Sequence, residues 1–229
     1  MPSTAAEVQE EPEGELILHE DFSDGMENWW VEGGQETWVK DGRLHMRANT
    51  EEPRDLGCVA TAWHKQKISG DVRVEFQAHV IDSKIGANNI NFFLFYSDPS
   101  DKPLYETRHR RTSADYSLDP DLNGYIFTFL RDRHLSLGAG PDGQPKARFR
   151  MRRCPGSELI DEAGDPMGVQ EGQTYQITIE RRDGTLTYSV DGEQYMQAED
   201  DEPHESGLLG LRTFCTYLWW DNIKVYSLD

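Results

Sequence analysis

The sequence has 229 residues and a formal net charge of −19, from 42 acidic and 23 basic side chains. This charge argues against non-specific binding to nucleic acid or to anionic membranes, because both would be repelled by the average field. We therefore expect neither a nucleic-acid partner nor a membrane partner, and the length fits one large all-β domain.

The N-terminal segment is acidic and almost free of large apolar side chains. It cannot bury enough surface to offset the entropy of ordering, so we predict a disordered leader over residues 1–15 and one domain over residues 16–229. The segment also lacks the basic start and apolar centre of a signal peptide. This predicts a cytoplasmic protein, or a secreted or periplasmic one if a signal peptide has been removed.

Beyond the leader, short apolar segments alternate with turn residues, which is the rhythm of an antiparallel β-sandwich. Asp-Gly pairs at 41–42, 183–184 and 191–192 lie between alternating runs and predict tight hairpins. Residues 72–80 alternate apolar and polar side chains, which predicts a strand buried on one face. No long helix competes with this interpretation. The predicted fold class is an all-β, two-sheet antiparallel sandwich.

The strongest strand prediction covers residues 88–96, which read NNINFFLFY. Strand alternation places Asn89, Asn91 and Phe95 on one face and Tyr96 on the other. Because both faces carry apolar residues, the strand should be central in its sheet. The two asparagines would present hydrogen-bonding groups beside aromatic rings, a combination that suits a sugar. The alternative is that Asn89 ends a turn and only Asn91 lies in the strand.

Six motifs occur once each along the chain: DFSDG, W-x-VEGG and V-x-DGRL near the start, a VxVEF strand, the run INFF, and WDNIKVYSL at the end. Together they resemble the concanavalin A-like lectin/glucanase superfamily. Within it the chain is similar to the YesU-like branch, whose members accompany degradation of plant or algal polysaccharides, especially rhamnogalacturonan. The resemblance implies a jelly roll whose concave sheet carries a ligand groove. It implies no reaction, because this fold hosts lectins, hydrolases, lyases and inert domains.

Glucanases of this superfamily carry the motif Glu-x-Asp-x-x-Glu on one concave strand, where two carboxylates act as nucleophile and general acid. The chain lacks this motif, and its acidic cluster at residues 158–162 follows a Pro-Gly pair and is interpreted as a loop. We therefore disfavour a retaining glucanase. A glycoside hydrolase with an atypical site stays an alternative.

Positive charge is concentrated at residues 108–111 and 148–153. Arg148, Arg150 and Arg152 share one face of a predicted strand, where their guanidinium groups could grip a carboxylate or sulfate. We predict that they bind an anionic saccharide, such as one that contains uronic acid. The alternative is a salt-bridged strand, or a charged edge strand that blocks aggregation.

Further site residues come from the resemblance. Similar chains keep an Arg and a Tyr ahead of a Gly-Tyr strand, which maps onto Arg111, Tyr116 and Tyr125, and the pair Trp63-His64 resembles one in the same branch. If the protein is an enzyme, β-elimination by a lyase fits better than hydrolysis, with Tyr116 or His64 taking the proton. Arg111, Tyr125 and Trp63 would contact the saccharide. A core role for Tyr125, a structural role for His64 and a non-catalytic carbohydrate-binding protein are the alternatives.

No cofactor is expected to be required, but a structural calcium ion is allowed. Asp21, Asp24 and Asp221 offer hard oxygen ligands of the kind that calcium takes in many related jelly rolls. The competing interpretation is that they are turn residues.

Cysteine and tryptophan residues are interpreted as structural. The three cysteines are spaced too widely for a metal site, which predicts reduced and mostly buried thiols. Trp29, Trp30, Trp219 and Trp220 lie near the chain ends, where the terminal strands are expected to pair, so all four are predicted to lie in the core.

Overall fold

The computed structural model describes residues 13–52, 55, 57–110, 122–131, 147–165 and 168–229. Within these ranges the chain forms sixteen strands, a short helix α1 at Leu104–Thr107 and a 3-10 turn at Arg108–Arg110. The strands are β1 Glu15–Glu20, β2 Trp29–Gly33, β3 Glu36–Lys40, β4 Arg43–Arg47, β5 Val59–His64, β6 Ile68–Ser69, β7 Val72–Asp82, β8 Ile90–Ser97, β9 Asn123–Arg131, β10 Ala147–Cys154, β11 Glu158–Asp165, β12 Thr174–Arg182, β13 Thr185–Val190, β14 Glu193–Glu199, β15 Ser206–Phe214 and β16 Tyr217–Ser227.

The strands form two antiparallel sheets. The first has the order β14-β13-β12-β7-β16-β4-β3, with β1 also paired to β16. The second has the order β11-β10-β9-β8-β15-β5-β2, with β6 also paired to β15. The predicted two-sheet sandwich is confirmed, and β8 lies at the centre of the second sheet as predicted. The predicted leader lies mostly outside the described residues, and β1 already begins at Glu15.

Apolar side chains from the facing sides of the two sheets form the core. Along β7, Val72, Val74 and Phe76 are buried while Arg73 between them is partly exposed, which confirms the predicted alternation. The rings of Phe76 in the first sheet and Phe92 in the second stack at 5.0 Å between centroids. Burial of apolar surface of this kind is the main favourable term in folding. In the described part of the chain, no helix is long and apolar enough to span a membrane.

The three predicted Asp-Gly hairpins connect β3 to β4, β12 to β13 and β13 to β14. Asp41 and Gly42 have φ values of 53° and 68°, and the other two pairs show the same combination of positive angles. Two positive φ values in a two-residue loop define the type I′ turn, whose twist matches that of the flanking strands. The hairpin predictions are therefore confirmed.

Strand β8 contains a bulge that the sequence did not predict. Phe95 has a φ of 57°, and the pairing register of β8 shifts between Leu94 and Ser97. The extra residue turns the side chain of Phe95 into the core and that of Tyr96 onto the outer face of the second sheet. The prediction of regular alternation is therefore wrong from Phe95 onward.

Gly210 in β15 gives room to the large rings on that outer face. A Cβ added there would lie 2.7 Å from the ring of Trp63 and 3.1 Å from that of Phe93. We expect Gly210→Ala to lower the free energy of unfolding by about 1–3 kcal/mol through overpacking, measured by urea denaturation. Gly164→Ala in β11 is the matched control, because an added Cβ there has nothing within 4 Å. Equal losses in the two variants would contradict the steric explanation.

Candidate functional site

One row of polar side chains crosses the outer face of the second sheet. The strand register pairs Glu32 with Thr61, Thr61 with Arg212, Arg212 with Asn91, Asn91 with Thr128, Thr128 with Arg150, and Arg150 with Glu162. We call these seven residues the polar row. The first five are buried, with exposed fractions between 0 and 9 %. Buried polar groups destabilise a protein unless they are hydrogen-bonded. The hydrogen-bond partners of these side chains therefore show which of them are part of the structural framework.

The predicted asparagine pair lies within a hydrogen-bonded network on this face. Asn91 accepts a bond of 2.6 Å from the Thr128 hydroxyl and donates its amide to the side-chain oxygen of Asn89. The backbone of Asn89 is held by Thr216 at 2.9 Å and by Thr213 at 2.8 Å. Asn89 precedes β8, whereas Asn91 lies in it, as the alternative interpretation of this pair predicted. Both side chains are buried and form the floor of the outer face.

The arginine cluster is only partly on the predicted surface. Arg150 lies on the same face as Asn91, two strands away. Arg152, two residues further along β10, donates a bond of 2.7 Å to the carbonyl oxygen of Ser157. The side chain of Arg148 lies outside the described part of the chain. Arg111 and Tyr116 lie outside it entirely.

The acidic cluster beside the arginines is a strand and not the predicted loop. Residues Glu158–Asp165 form β11, which pairs with β10 at the edge of the sheet. Glu162 stands opposite Arg150, and opposite charges at facing positions stabilise a strand pair. The alternative of a charge-paired edge therefore stays open for Arg150.

Trp63 and His64 lie on opposite faces of β5. Trp63 is buried on the outer face, against Phe93 at 5.4 Å between ring centroids. His64 points toward the other sheet, with Nδ1 accepting a bond of 3.1 Å from the Gln66 amide and Nε2 lying 3.3 Å from a Glu20 oxygen. Burial lowers the pKa of His64, although Glu20 acts against this effect. His64 faces away from the side of the sheet that carries Asn91, and both its nitrogens are occupied by structural bonds, as the alternative of a structural role predicted.

Tyr125 also faces the core and not the outer face. Its hydroxyl donates a bond of 2.6 Å to Asp200 and accepts one of 2.9 Å from the His204 amide. Arg153 donates to the same Asp200 oxygen at 2.8 Å. Burial raises the pKa of Tyr125. Tyr125, Asp200 and Arg153 thus form a hydrogen-bonded group that fixes residues 200–204, ahead of β15. Tyr125 has the core role that the alternative interpretation predicted, and it does not contact the outer face.

A cavity of about 850 Å³ is linked to the polar row through Trp30, which lines the cavity and bonds Glu32. Its lining comes from β2, the turn after β5, the end of β8, the connection that follows, α1 and the start of β15: Trp29, Trp30, Lys65, Lys67, Tyr96, Ser97, Asp98, Asp101, Lys102, Pro103, Leu104, Tyr105, Gly207 and Leu208. We call it the aromatic cavity. A concave, largely preformed space with a few polar groups is the usual form of a small-molecule site.

Four aromatic residues line this cavity, and two of them, Trp30 and Tyr105, have rings that are at least partly exposed. Trp30 meets Tyr105 edge to face, with 5.4 Å between ring centroids, and Tyr105 is 47 % exposed. The indole nitrogen of Trp30 donates a bond of 3.1 Å to Glu32, so the cavity wall is joined to the polar row. Trp30 was predicted to lie in the core, and that prediction is wrong. The sequence signal that could have found it is the pair of adjacent tryptophans in one strand, since Trp29 and Trp30 must face opposite sides.

The cavity also carries more positive than negative charge. Lys65, Lys67 and Lys102 line it, against two carboxylates at Asp98 and Asp101. This local balance is opposite to that of the whole chain, whose net charge is −19. An anionic group would therefore be repelled less at the cavity than by the average field of the chain.

The predicted calcium ligands are not brought together. Asp21 and Asp24 line a separate cavity of about 250 Å³, where hydrogen bonds from Ser23 lower the pKa of Asp21. Asp221 does not line this cavity and lies 3.6 Å from the Arg43 guanidinium. Among the described residues, no group of three or more metal-binding side chains could hold an ion. The arrangement gives the calcium prediction no support.

A second aromatic cluster lies on the outer face of the first sheet. Trp38 stacks on His45 at 5.1 Å, and His79 stacks on Trp219 at 4.9 Å, on neighbouring strands. The Arg43 guanidinium lies 4.2 Å from the Trp219 ring centroid. Trp219 is buried, with 7 % of its surface exposed, but it lies in this outer stack and not in the predicted core between the sheets. Because these rings cover one another, we do not assign a ligand to them.

Comparison with known proteins gives the class of the chain. The architecture is that of galectin-like sandwiches: a Bacillus subtilis protein of unknown function with a galectin-like fold superposes with a TM-score of 0.76 at 16 % identity, covering 94 % of this chain and 97 % of that one. A carbohydrate-binding module, CBM66 of B. subtilis, gives a TM-score of 0.57 at 14 % identity, with 87 % and 96 % covered. The lumenal domain of VIP36, solved with Ca²⁺ and Man3GlcNAc, gives 0.62 at 12 % identity, with 92 % and 88 % covered.

Within that class the family is defined by sequence. Residues 55–223 match the model of a domain of unknown function, DUF6250, and the chain belongs to this family. No curated protein matches the chain. The structural neighbours support the predicted jelly-roll class, whereas the resemblance to the YesU-like branch stays a prediction.

Two threonines of the polar row differ in their bonding. The hydroxyl of Thr61 is buried with no hydrogen-bond partner among the described residues, whereas that of Thr128 donates to Asn91. We expect Thr61→Val to leave the free energy of unfolding unchanged or slightly raised, because it removes an unsatisfied group. Thr128→Val should lower it by about 1–3 kcal/mol, because Asn91 then loses a buried partner. Urea denaturation of both variants checks this, and a larger loss for Thr61→Val would contradict it.

Proposed function

We propose that this protein binds a saccharide in the aromatic cavity. The observation that carries the proposal is the cavity itself, in which Trp30 and the half-exposed Tyr105 offer rings beside lysine and carboxylate groups. Aromatic rings pack on the apolar faces of sugar rings, while the polar groups can bond the hydroxyls. The carbohydrate-binding module and the sugar-bound lumenal domain share this fold, which is consistent with the proposal.

The saccharide is proposed to be anionic, with uronic acid as its charged group. Three lysines around one cavity in a chain of net charge −19 support this choice. A lysine ammonium is a mobile point charge that can reach a carboxylate without a fixed geometry. Arg150 and Arg152 lie on the same outer face and could contact a longer ligand that extends past the cavity.

The proposal is for binding without catalysis, because His64, one of the two predicted bases, does not line the cavity. A lyase needs a base that reaches the proton to be removed. His64 faces the core and bonds Glu20 and Gln66, and Tyr116 lies outside the described residues. An unsaturated product formed from a uronate polymer, and followed by its absorbance, would instead favour the lyase.

The aromatic contribution is tested with Trp30→Ala and Tyr105→Ala. We expect each variant to bind its best saccharide about tenfold more weakly, equivalent to about 1.4 kcal/mol, because a stacking surface is removed. Calorimetry against a panel of uronic-acid oligosaccharides and their neutral counterparts measures this. Leu16→Ala is the control, since Leu16 is 49 % exposed on the other sheet. Unchanged affinity in both aromatic variants, with binding retained, would place the ligand elsewhere.

The charge contribution is tested with Lys67→Gln and Lys102→Gln. These two lysines are preferable to Lys65, whose ammonium group also bonds the carbonyl oxygen of Glu27. We expect weaker binding of uronate ligands, and an affinity that falls as salt rises from about 50 to 500 mM, because exposed charges are screened within about 10 Å. Lys40→Gln, on β3 of the other sheet, is the matched control. Equal binding of neutral and acidic saccharides at all salt concentrations would refute the anionic specificity while leaving saccharide binding intact.

A further inference from the structure

Two of the three cysteines, Cys58 and Cys215, face each other at one end of the second sheet. Cys58 immediately precedes β5, and Cys215 lies in the connection from β15 to β16 of the first sheet. The ladder between β5 and β15 pairs Val59 with Phe214, and Cys58 and Cys215 are the next residues outward. The backbone amide of Cys215 donates a bond of 2.7 Å to the carbonyl oxygen of Cys58. The regular ladder ends at Val59 and Phe214, since the Cys58 amide bonds the carbonyl oxygen of Asp55 and Cys215 has a φ of 45°. The one bond from Cys215 to Cys58 nevertheless holds the two residues side by side.

Their side chains point into the same small apolar cluster. Cys58 is 2 % exposed and Cys215 is fully buried, and both pack with Val59, Ile85 and Ala87. Burial raises the pKa of the Cys215 thiol to about 11, and a hydrogen bond with the Cys58 thiol contributes to this shift. The two sulfur atoms are thus within hydrogen-bonding reach of each other.

The backbone spacing suits a covalent bond between them. Residues that face each other on adjacent antiparallel strands have Cα atoms about 4.5–5.5 Å apart, and the direct backbone bond keeps Cys58 and Cys215 near this spacing. Disulfides span Cα distances of about 4.4–6.8 Å. Cys154, the remaining cysteine, is engaged elsewhere, with its sulfur 3.5 Å from the Tyr96 hydroxyl and 3.7 Å from that of Ser157.

We propose that Cys58 and Cys215 form an intramolecular disulfide when a disulfide oxidant such as oxidised glutathione reaches the folded protein. The thiolate of one cysteine attacks oxidised glutathione, releases one reduced glutathione and leaves a mixed disulfide. The second thiol, on losing its proton, attacks the protein sulfur of that mixed disulfide and releases a second glutathione. The protein loses two protons and two electrons, and oxidised glutathione gains both. Because the thiolate is the attacking species, the reaction is slow at neutral pH and accelerates as pH rises.

The bond would fasten a junction that also supports the asparagine floor. Cys215 lies between Thr213 and Thr216, the two residues that hold the backbone of Asn89. The Ser83 hydroxyl donates a further bond of 2.8 Å to the carbonyl oxygen of Cys215. Linking Cys215 to the start of β5 therefore ties this support to a second strand. Cross-links between residues so far apart in sequence stabilise chiefly by restricting the unfolded chain.

The test is to incubate the folded protein with mixtures of reduced and oxidised glutathione at pH 7 and pH 9. Because all three cysteines are buried, the remaining thiols are then blocked with excess N-ethylmaleimide in denaturant. We expect intact mass to show one blocked thiol and the loss of two hydrogens, and peptide mapping to recover a linked Cys58 and Cys215 peptide pair. The oxidised protein should show a higher denaturation midpoint, reversed by dithiothreitol. The reaction should be faster at pH 9.

Variants in which one cysteine is replaced by serine serve as controls. Cys154→Ser should keep the cross-link, whereas Cys58→Ser and Cys215→Ser should abolish it. Three blocked thiols at every ratio, a pairing that includes Cys154, or a cross-link that appears only after denaturant is added would overturn the proposal. The mass measurement reads the bond itself, so it decides the question even if the serine variants fold poorly, and it does not depend on saccharide binding.

Discussion

The bulge at Phe95 is the local feature on which the outer face of the second sheet depends. It inserts one residue into the central strand, so that Phe95 enters the core and Tyr96 emerges beside Trp63. Both neighbouring strands leave space for it. A Cβ at Gly207 would lie 2.1 Å from the Phe95 backbone, and one at Gly124 would lie 2.4 Å from the Tyr96 ring. Without these two glycines the central strand could not change the phase of its side chains, and Tyr96 would not reach the cavity.

The outer face that results has two chemically different bands side by side. The polar row crosses the sheet in register, and the next row along the strands contains the large rings of Trp30, Trp63 and Phe93. Trp30 connects the bands, because its ring lines the cavity while its indole nitrogen bonds Glu32. A hydrogen bond from a cavity-wall ring to a buried carboxylate fixes the orientation of that ring before any ligand arrives. Such preorganisation lowers the entropy lost on binding.

Local patterns predicted much of the fold. The alternation along β7 and the three Asp-Gly turns depend on neighbouring residues alone, so the sequence contains the whole signal. The bulge in β8 depends on space left by Gly207, which lies more than a hundred residues away, so alternation failed at Phe95. The same alternation rule, applied strictly, would have separated Trp63 from His64, since adjacent strand residues face opposite sides.

The site was harder to predict than the sheets. The expected residues Asn91, Arg150 and Trp63 do share one face, because each lies on a strand whose phase the sequence sets. The cavity next to them depends on connections that only the folded chain brings together. Nothing in the spacing of Lys67 and Tyr105 shows that they line one space, since their meeting requires β5, β15 and β8 to be adjacent.

The aromatic cavity is built from distant parts of the chain, so its occupancy is coupled to the stability of the fold. Its wall consists of parts of β2, the turn after β5, the end of β8, the connection to α1, α1 itself and the start of β15, so no single segment could retain it after unfolding. Any molecule that occupies it therefore binds the folded chain and not the unfolded one. At a concentration 100 times its dissociation constant, such a molecule adds about 2.7 kcal/mol to the free energy of unfolding. Melting temperature thus becomes a direct detector of occupancy, and a saccharide library can be searched with it before the natural ligand is known.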